Sequence, residues 1–363
     1  MANVVFLIGN GFDLACGLKS RYSDTYDFYI ESISSIPAIS KFKQTIKKDV
    51  STWADFEMQL VEYAKDLETE TDFLACLRDY NAFLNDYLLN QQEAFWDKYE
   101  VLIQEHNSVL KEIGRSIAKF YQGLTNNDIR AIRTSLLRDG IIHYGFINFN
   151  YTNVFDRFLD FAFKAEYVKD QLEYSYSCSE VIHIHGSLGS DVILGVDNET
   201  QLLELPYSIT NKARRNIIKP VFLREFDEER FKTAADMLLK SDIVCVFGLS
   251  LGDSDYTWRK LIASWLKLET SHHLVFFKHN YMNRKYHSTA VSNKMDDEED
   301  GKEELLSIFF DEPLVDNIKK MILDKMHVPV GVRIFDFDLD NALKEIEVFN
   351  EKNQELLKKL KSI

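Results

Sequence analysis

Val4-Val5-Phe6-Leu7-Ile8-Gly9-Asn10-Gly11 decides the fold. Val4 to Ile8 is an unbroken apolar run, the pattern of a strand buried on both faces of a parallel sheet. The Gly-Asn-Gly that ends it hands the chain to a short helical turn over Phe12 to Leu18. A strand feeding a glycine turn and then a helix presents backbone N–H groups to an anion, with no side chains to block close approach. Gly9, Asn10 and Gly11 are therefore candidate ligand contacts, and a pyrophosphate is the group such a turn suits. The spacing is not that of a dinucleotide fingerprint, because Leu14 stands where the third glycine belongs. It also fails the P-loop pattern, since Gly17-Leu18-Lys19-Ser20 carries an extra leucine between glycine and lysine. A tight turn without a ligand is the competing reading.

Working outward, strand-like runs recur at Tyr144–Phe149, Val181–Ile184, Asp191–Leu194, Ile243–Phe247 and Leu274–Phe277. Helical segments at Phe155–Ala165, Phe226–Leu239 and Thr257–Leu266 separate them. Alternating strands and helices predict an α/β fold, a Rossmann-like parallel sheet flanked by helices. Between about Tyr26 and Arg138 the chain instead carries long amphipathic stretches (Trp53–Leu67, Phe73–Leu89, Phe95–Phe120) with almost no glycine or proline, which predicts a large helical insertion after the first strand. The expected layout is a nucleotide-binding core over residues 1–25 and 140–295, the insertion over 26–139, and an acidic loop with a C-terminal helical segment over 296–363. In that last part Met295–Glu304 reads as an exposed loop or helix start, and Asn341–Ile363 as a charged amphipathic helix packing on the body or on a second subunit.

Bulk composition narrows the function. The 363 residues are 45% hydrophobic and 13% aromatic, which excludes a disordered chain. A net charge of -15 opposes a nonspecific grip on a phosphate backbone, so duplex nucleic acid is a poor partner. The basic cluster Lys212-Ala213-Arg214-Arg215 with Lys219 reads first as a solvated loop and second as a phosphate contact. Cys16, Cys76, Cys178 and Cys245 contain no C-x-x-C pair, so neither a disulfide framework nor a zinc site is indicated and no metal is expected. No apolar run approaches the roughly 20 residues needed to span a bilayer, and a cytoplasmic location is expected.

The remaining candidates sit at strand ends, where open α/β sheets bind ligands. Asn148-Phe149-Asn150-Tyr151-Thr152-Asn153 follows one strand; its asparagines either cap the helix near Val154 or, beyond the one a cap needs, serve a ligand. In Val181-Ile182-His183-Ile184-His185-Gly186-Ser187 the alternation puts both histidines on one strand face; His185, beside Gly186, is the candidate general base and His183 a supporting residue. Gly248 and Ser250 suit a backbone close to a ribose or phosphate, while Asp253 or Asp255 would accept from hydroxyls or cap the next helix. Four motifs at four predicted strand ends imply one rim.

Leu7-Ile8-Gly9-Asn10-Gly11-Phe12-Asp13-Leu14, with Gly17-Leu18 and Tyr22-Ser23-Asp24, resembles the opening of the AbiH-type phage abortive-infection family, and Asn148–Thr152, His185-Gly186-Ser187 and Gly248–Asp255 continue the resemblance. The same motif order is similar to the broader sirtuin-like (SIR2-like) superfamily, whose members bind NAD on a Rossmann-like sheet and cleave the bond between nicotinamide and ribose. That resemblance implies first-loop glycines at Gly9 and Gly11, the asparagine of a T-x-N-x-D loop at Asn150, the histidine before glycine at His185, and a G-x-S loop at Gly248 and Ser250. Asn148 and Thr152 replace the flanking Thr and Asp of that loop, Asn10 stands in an alanine position, and the zinc-ribbon cysteines of protein deacetylases are missing. What it implies is therefore a phage-defence NAD glycohydrolase (NADase), with Asn150 and His185 catalytic and Gly9, Asn10, Gly11, Asp13, Tyr151, Gly186, Gly248, Ser250, Asp253 and Asp255 around the nucleotide. A phage-derived trigger or partner and a homo-oligomer fit that role. The alternative is a nucleotide-sensing regulatory protein without turnover; a nuclease fits less well, for want of a compact acidic metal cluster in the strand-end motifs.

Overall fold

The N-terminal apolar run is the middle of a sheet that grows on both sides of it. In the computed structural model it lies in β1 (Ala2–Ile8), joined by β2 (Ile141–Asn148), β3 (Ser175–His183), β4 (Ile243–Phe247), β5 (His273–Phe277) and β6 (Met326–His327). The strand order is β3-β2-β1-β4-β5-β6, and every neighbouring pair is parallel. The fold is α/β and Rossmann-like, as expected. Residues 1–105, 107–137, 140–170, 175–202, 204–278, 291–329, 334–336, 338–345 and 348 are described.

Helix α1 (Gly11–Ala15) leaves β1. Between it and β2 come α2 (Tyr22–Glu31), α3 (Pro37–Lys48), α4 (Phe56–Ala64), α5 (Glu70–Glu105), α6 (Asn107–Ala118) and α7 (Asn126–Leu137). α8 (Val154–Lys164) and α9 (Tyr167–Asp170) lead to β3; α10 (Asn211–Ile217), α11 (Lys219–Phe226) and α12 (Glu228–Leu239) lead to β4. α13 (Tyr256–Leu268) joins β4 to β5, while α14 (Val291–Phe309) and α15 (Asp316–Leu323) precede β6.

Strand periodicity splits β1 between two cores, as side chains alternating across a sheet must. Val4, Phe6 and Ile8 face one apolar cluster, built with α6, α8 and the second half of α5. Val5 and Leu7 face another, built with α12, α13 and α14. A third cluster stands apart from both faces: α2, α3, α4 and the first half of α5 pack there with Leu194, Val196 and the α10 residues Ala213 and Ile217. Helix α5 is the beam between cores. Its 36 residues span about 54 Å at the α-helical rise, with Leu74 to Leu88 in the detached cluster and Phe95 to Ile103 against the sheet.

Several sequence expectations are corrected. Residues 191–194 are not a strand. The chain turns at Gly186, φ +80°, and Ile193 N–H then donates to the His185 carbonyl, so the apolar run is a loop buried between clusters. The acidic run Met295–Glu304 is no loop but the middle of α14, which Leu305, Leu306 and Phe309 anchor to the core. The basic cluster is not a solvated loop either. It forms α10, capped by the Thr210 hydroxyl, with Arg214 and Arg215 paired to Glu199 and Glu225, while Lys219 opens α11 and is buried. Residues 339–345 are helical, and the rest of the expected C-terminal helix apart from Val348 lies outside the described residues. Among the described residues no helix is long and apolar enough to cross a membrane.

Candidate functional site

The strand order reverses direction between β1 and β4, and that reversal opens a crevice at the carboxyl ends of the strands. The loops after these two strands meet on glycine. Gly9 N–H donates to the Phe247 carbonyl and Gly11 N–H to the Gly248 carbonyl, both at 2.9 Å. A Cβ on Gly11 would stand 2.4 Å from Gly248 Cα, and one on Gly9 2.5 Å from the Gly248 oxygen. Gly248 itself has φ +66°, the left-handed region glycine favours. The glycines of the first turn thus let two loops close on each other, and their N–H groups are committed to that closure. Asn10 is held as well, exchanging hydrogen bonds with the Ser20 carbonyl and hydroxyl.

Above this floor lies a cavity of about 260 Å³. Its sheet side is organised from Asn148, the last residue of β2. Asn148 Oδ1 accepts from Asn150 N–H at 3.0 Å, and Asn148 Nδ2 donates to Asp156 at 3.1 Å. His183 closes the brace, with Nδ1 2.8 Å from the Asn150 carbonyl and Nε2 2.7 Å from Asp156 Oδ1. Both ring nitrogens face acceptors, which is the arrangement of an imidazolium. Burial opposes that charge, but the hydrogen-bonded Asp156 carboxylate outweighs it and holds the His183 pKa above its ordinary value. Asn150 then donates its amide to the Gly9 carbonyl at 3.1 Å, which ties the β2 loop to the β1 loop on the cavity wall.

None of the three asparagines caps α8. Asn153, at the cap position, makes no such bond and instead accepts from Trp96. Asp13 and Asp255 complete this side. Thr152 Oγ1 donates to Asp13 Oδ2 at 2.7 Å, whereas Asp13 Oδ1 is buried without a partner among the described residues. Burial pushes the Asp13 carboxyl up to about 7. Asp255 Oδ1 is likewise buried and unpartnered, and burial pushes that carboxyl up to about 6 against the pull of Lys219. Asp255 does not cap α13. Asp197 does so from 60 positions away, accepting from Thr257 N–H and Oγ1.

His185 follows the end of β3 and packs edge-on against Phe149. Because the chain turns after His183, the two histidines do not share a strand face: one braces the loop, the other lines the cavity. Its Nε2 stands 3.7 Å from Asp255 Oδ1, outside hydrogen-bond reach. Burial and the facing Lys219 ammonium push the His185 pKa well below its ordinary value, so the imidazole is neutral.

The facing wall comes from the helical insertion and α11. Tyr22, Asp55 and Glu57 line it, with Asp55 also capping α4 through Met58 N–H. Glu57 and Lys219, each 4% exposed, form an ion pair at 2.7 Å. Glu57 also accepts from Gly195 N–H at 3.0 Å, and Lys219 also donates to the Ser254 carbonyl at 3.3 Å. Burial pushes Glu57 up to about 7 in spite of Lys219, while Glu57 holds the lysine above its ordinary pKa although burial alone would lower it.

Of the residues singled out from sequence, Asn10, Asp13, Asn150, Tyr151, His185, Gly248, Ser250 and Asp255 line this one cavity. Gly9 and Gly11 underlie it, and Gly186 makes the turn that carries His185, where a Cβ would strike the Asp191 carbonyl. Asp253 does not reach it; its carboxylate is exposed and pairs with Arg259 at 3.1 Å. Sequence reasoning missed Glu57, Asp55 and Tyr22, and took Lys219 only as the end of a basic cluster, a solvated loop or a phosphate contact, not as the buried partner of Glu57. One signal was present, since Lys219-Pro220 puts a cation in the first turn of a helix, where the dipole disfavours it. Among the described residues no group of three or more His, Cys, Asp or Glu could hold a metal ion.

A search of curated proteins finds no match to the chain. The sequence profile of the family described as bacteriophage abortive infection AbiH matches residues 5–277, from β1 through β5, and the chain belongs to that family.

Proposed function

We propose that this protein is a sirtuin-like variant that binds NAD in the cavity and hydrolyses it to nicotinamide and ADP-ribose during abortive infection. The observation that carries this reading is that Asn150 and His185, from the ends of two different strands, line one cavity at the reversal of strand order. The mundane roles for Asn150 and Asp255, as helix caps, are not the ones they fill.

In the proposed reaction the bond between ribose C1′ and the nicotinamide ring nitrogen breaks, and its electron pair leaves with the neutral nicotinamide. A water oxygen bonds to C1′, and the proton it sheds passes to His185 and on to solvent. Asn150, fixed by the Gly9 carbonyl and by His183, orients the ribose or the water. His185 is neutral before the step, as a base must be. No acid is needed for a leaving group that departs uncharged.

The test is incubation of the purified chain with NAD, following nicotinamide and ADP-ribose by chromatography. His185→Ala and Asn150→Ala should fold and should slow release by about 10²-fold to 10⁴-fold. Unchanged turnover in both removes the assignment. Tight NAD binding with no product would identify a nucleotide-sensing regulator instead.

A further inference from the structure

The charge of the cavity bears on which end of a ligand it takes. Asp13, Asp55, Glu57 and Asp255 line it, and the lining cation, Lys219, is spent on Glu57 and the Ser254 carbonyl. Two carboxylate oxygens, Asp13 Oδ1 and Asp255 Oδ1, are buried without a hydrogen-bond partner among the described residues, on side chains of residues only 1% and 7% exposed. A buried carboxylate that lacks a donor is destabilised, and a cation or an O–H donor placed beside it relieves that. A phosphate placed there would add a like charge in a weakly screening site.

The first-turn donors that a diphosphate would use are also engaged. Gly9 and Gly11 N–H groups are bonded to Phe247 and Gly248 carbonyls. The following helix α1 has 5 residues, too few to project the field of a longer helix toward an anion.

We infer that the cavity takes the cationic, phosphate-free end of its ligand, a ribosyl unit bearing a positively charged nitrogen heterocycle, and leaves any diphosphate outside. The choice of ligand rests on the NAD reading above, but the inference does not depend on turnover. Asp13, Asp55 and Asp255 neutralise the ring charge, Glu57 being paired with Lys219, and the ribose hydroxyls supply donors for the two orphaned oxygens.

The experiment is equilibrium binding to the full chain by calorimetry at pH 8, with nicotinamide release followed in parallel. NAD is compared with NADH, whose reduced ring has nearly the same shape and no charge, and nicotinamide riboside is compared with ADP-ribose as a competitor. The expected result is NAD at least about tenfold tighter than NADH, nicotinamide riboside displacing NAD, and ADP-ribose failing to displace nicotinamide riboside. Asp255→Asn, which keeps the shape and removes one charge, should shrink the NAD to NADH ratio several-fold. Equal affinity for NAD and NADH, displacement by ADP-ribose, or no binding of any of these probes overturns the inference. Charge-selective binding without nicotinamide release would sink the proposed hydrolysis and leave this inference standing. Release of nicotinamide without charge selectivity would do the opposite.

Discussion

The two walls of the cavity are built on different principles. The sheet wall is a set of strand-end loops fastened to one another: Asn148, Asn150 and His183 bond around Asp156, and the β1 and β4 loops close glycine on glycine. The insertion wall rests on its own apolar cluster, and within it the Glu57–Lys219 pair ties α4 to α11. A wall held by many short local bonds loses one member and keeps its shape. A wall hung on a buried ion pair does not.

That contrast predicts where the molecule is most fragile. Lys219→Met strands the Glu57 carboxylate at 4% exposure with only Gly195 N–H left as a donor among the described residues. The expected loss is about 3–5 kcal/mol, read as a lowered urea midpoint. Lys219→Met combined with Glu57→Leu removes both charges and should recover most of that loss, because well-packed apolar side chains replace buried pairs at little net cost. A single variant within about 1 kcal/mol of the parent would show that the pair does not hold the insertion wall together.

The same contrast explains what could be read from the sequence. The sheet and most of the sheet wall were legible because strand-end loops carry a local mark: an apolar run, a glycine, then polar residues. β1, β2, β4 and β5 and the helices α8, α12 and α13 fall where periodicity put them. Glu57 has no such mark, since a glutamate in the first turn of an amphipathic helix is the commonest of surface residues, and only the tertiary fold brings it to Lys219 across 162 positions. Val192, Ile193 and Leu194 misled for the converse reason: burial in a loop between two clusters produces the same apolar string as a strand. The turn after His183, which Gly186 N–H closes onto the His183 carbonyl, was marked in the sequence by a glycine, but its consequence, that His185 leaves the strand, was not.

Titration sharpens the comparison on the sheet side. The Asp13 pKa is about 7 in the folded protein against an ordinary 3.8, so the native state binds the extra proton. The stability this contributes is full below the unfolded value and is lost as pH rises through about 7. Asp13→Asn accepts from the Thr152 hydroxyl equally well and does not titrate. Other groups titrate in the same window, so the quantity to measure is the difference between parent and variant. Between pH 5 and pH 8 the parent should lose about 2–3 kcal/mol relative to the variant. A difference that stays flat with pH would mean that Asp13 is solvated and charged throughout, and would remove it from the buried wall.

The smallest expected effect tests the floor on which both walls stand. Gly11 is helical and Ala is the better helix former, so propensity alone would make Gly11→Ala stabilising by up to about 1 kcal/mol. The Gly248 backbone lies 2.4 Å from where the new Cβ would sit, and backbone cannot swing aside as a side chain can. Overpacking of this kind costs about 1–3 kcal/mol, so the net change should be a loss of roughly 1–2 kcal/mol, with weaker NAD binding as the β1 and β4 loops part. Gly17→Ala, just past the C-terminal end of α1, is the control. With φ +89° and nothing within 4 Å, it carries a backbone penalty but no collision, and it should leave binding untouched. If both variants lose stability alike and neither alters binding, the first glycine turn is a fold element only. If Gly11→Ala alone weakens binding, the contact between loops, and not a bare anion-binding turn, is what the Gly9-Asn10-Gly11 sequence encodes.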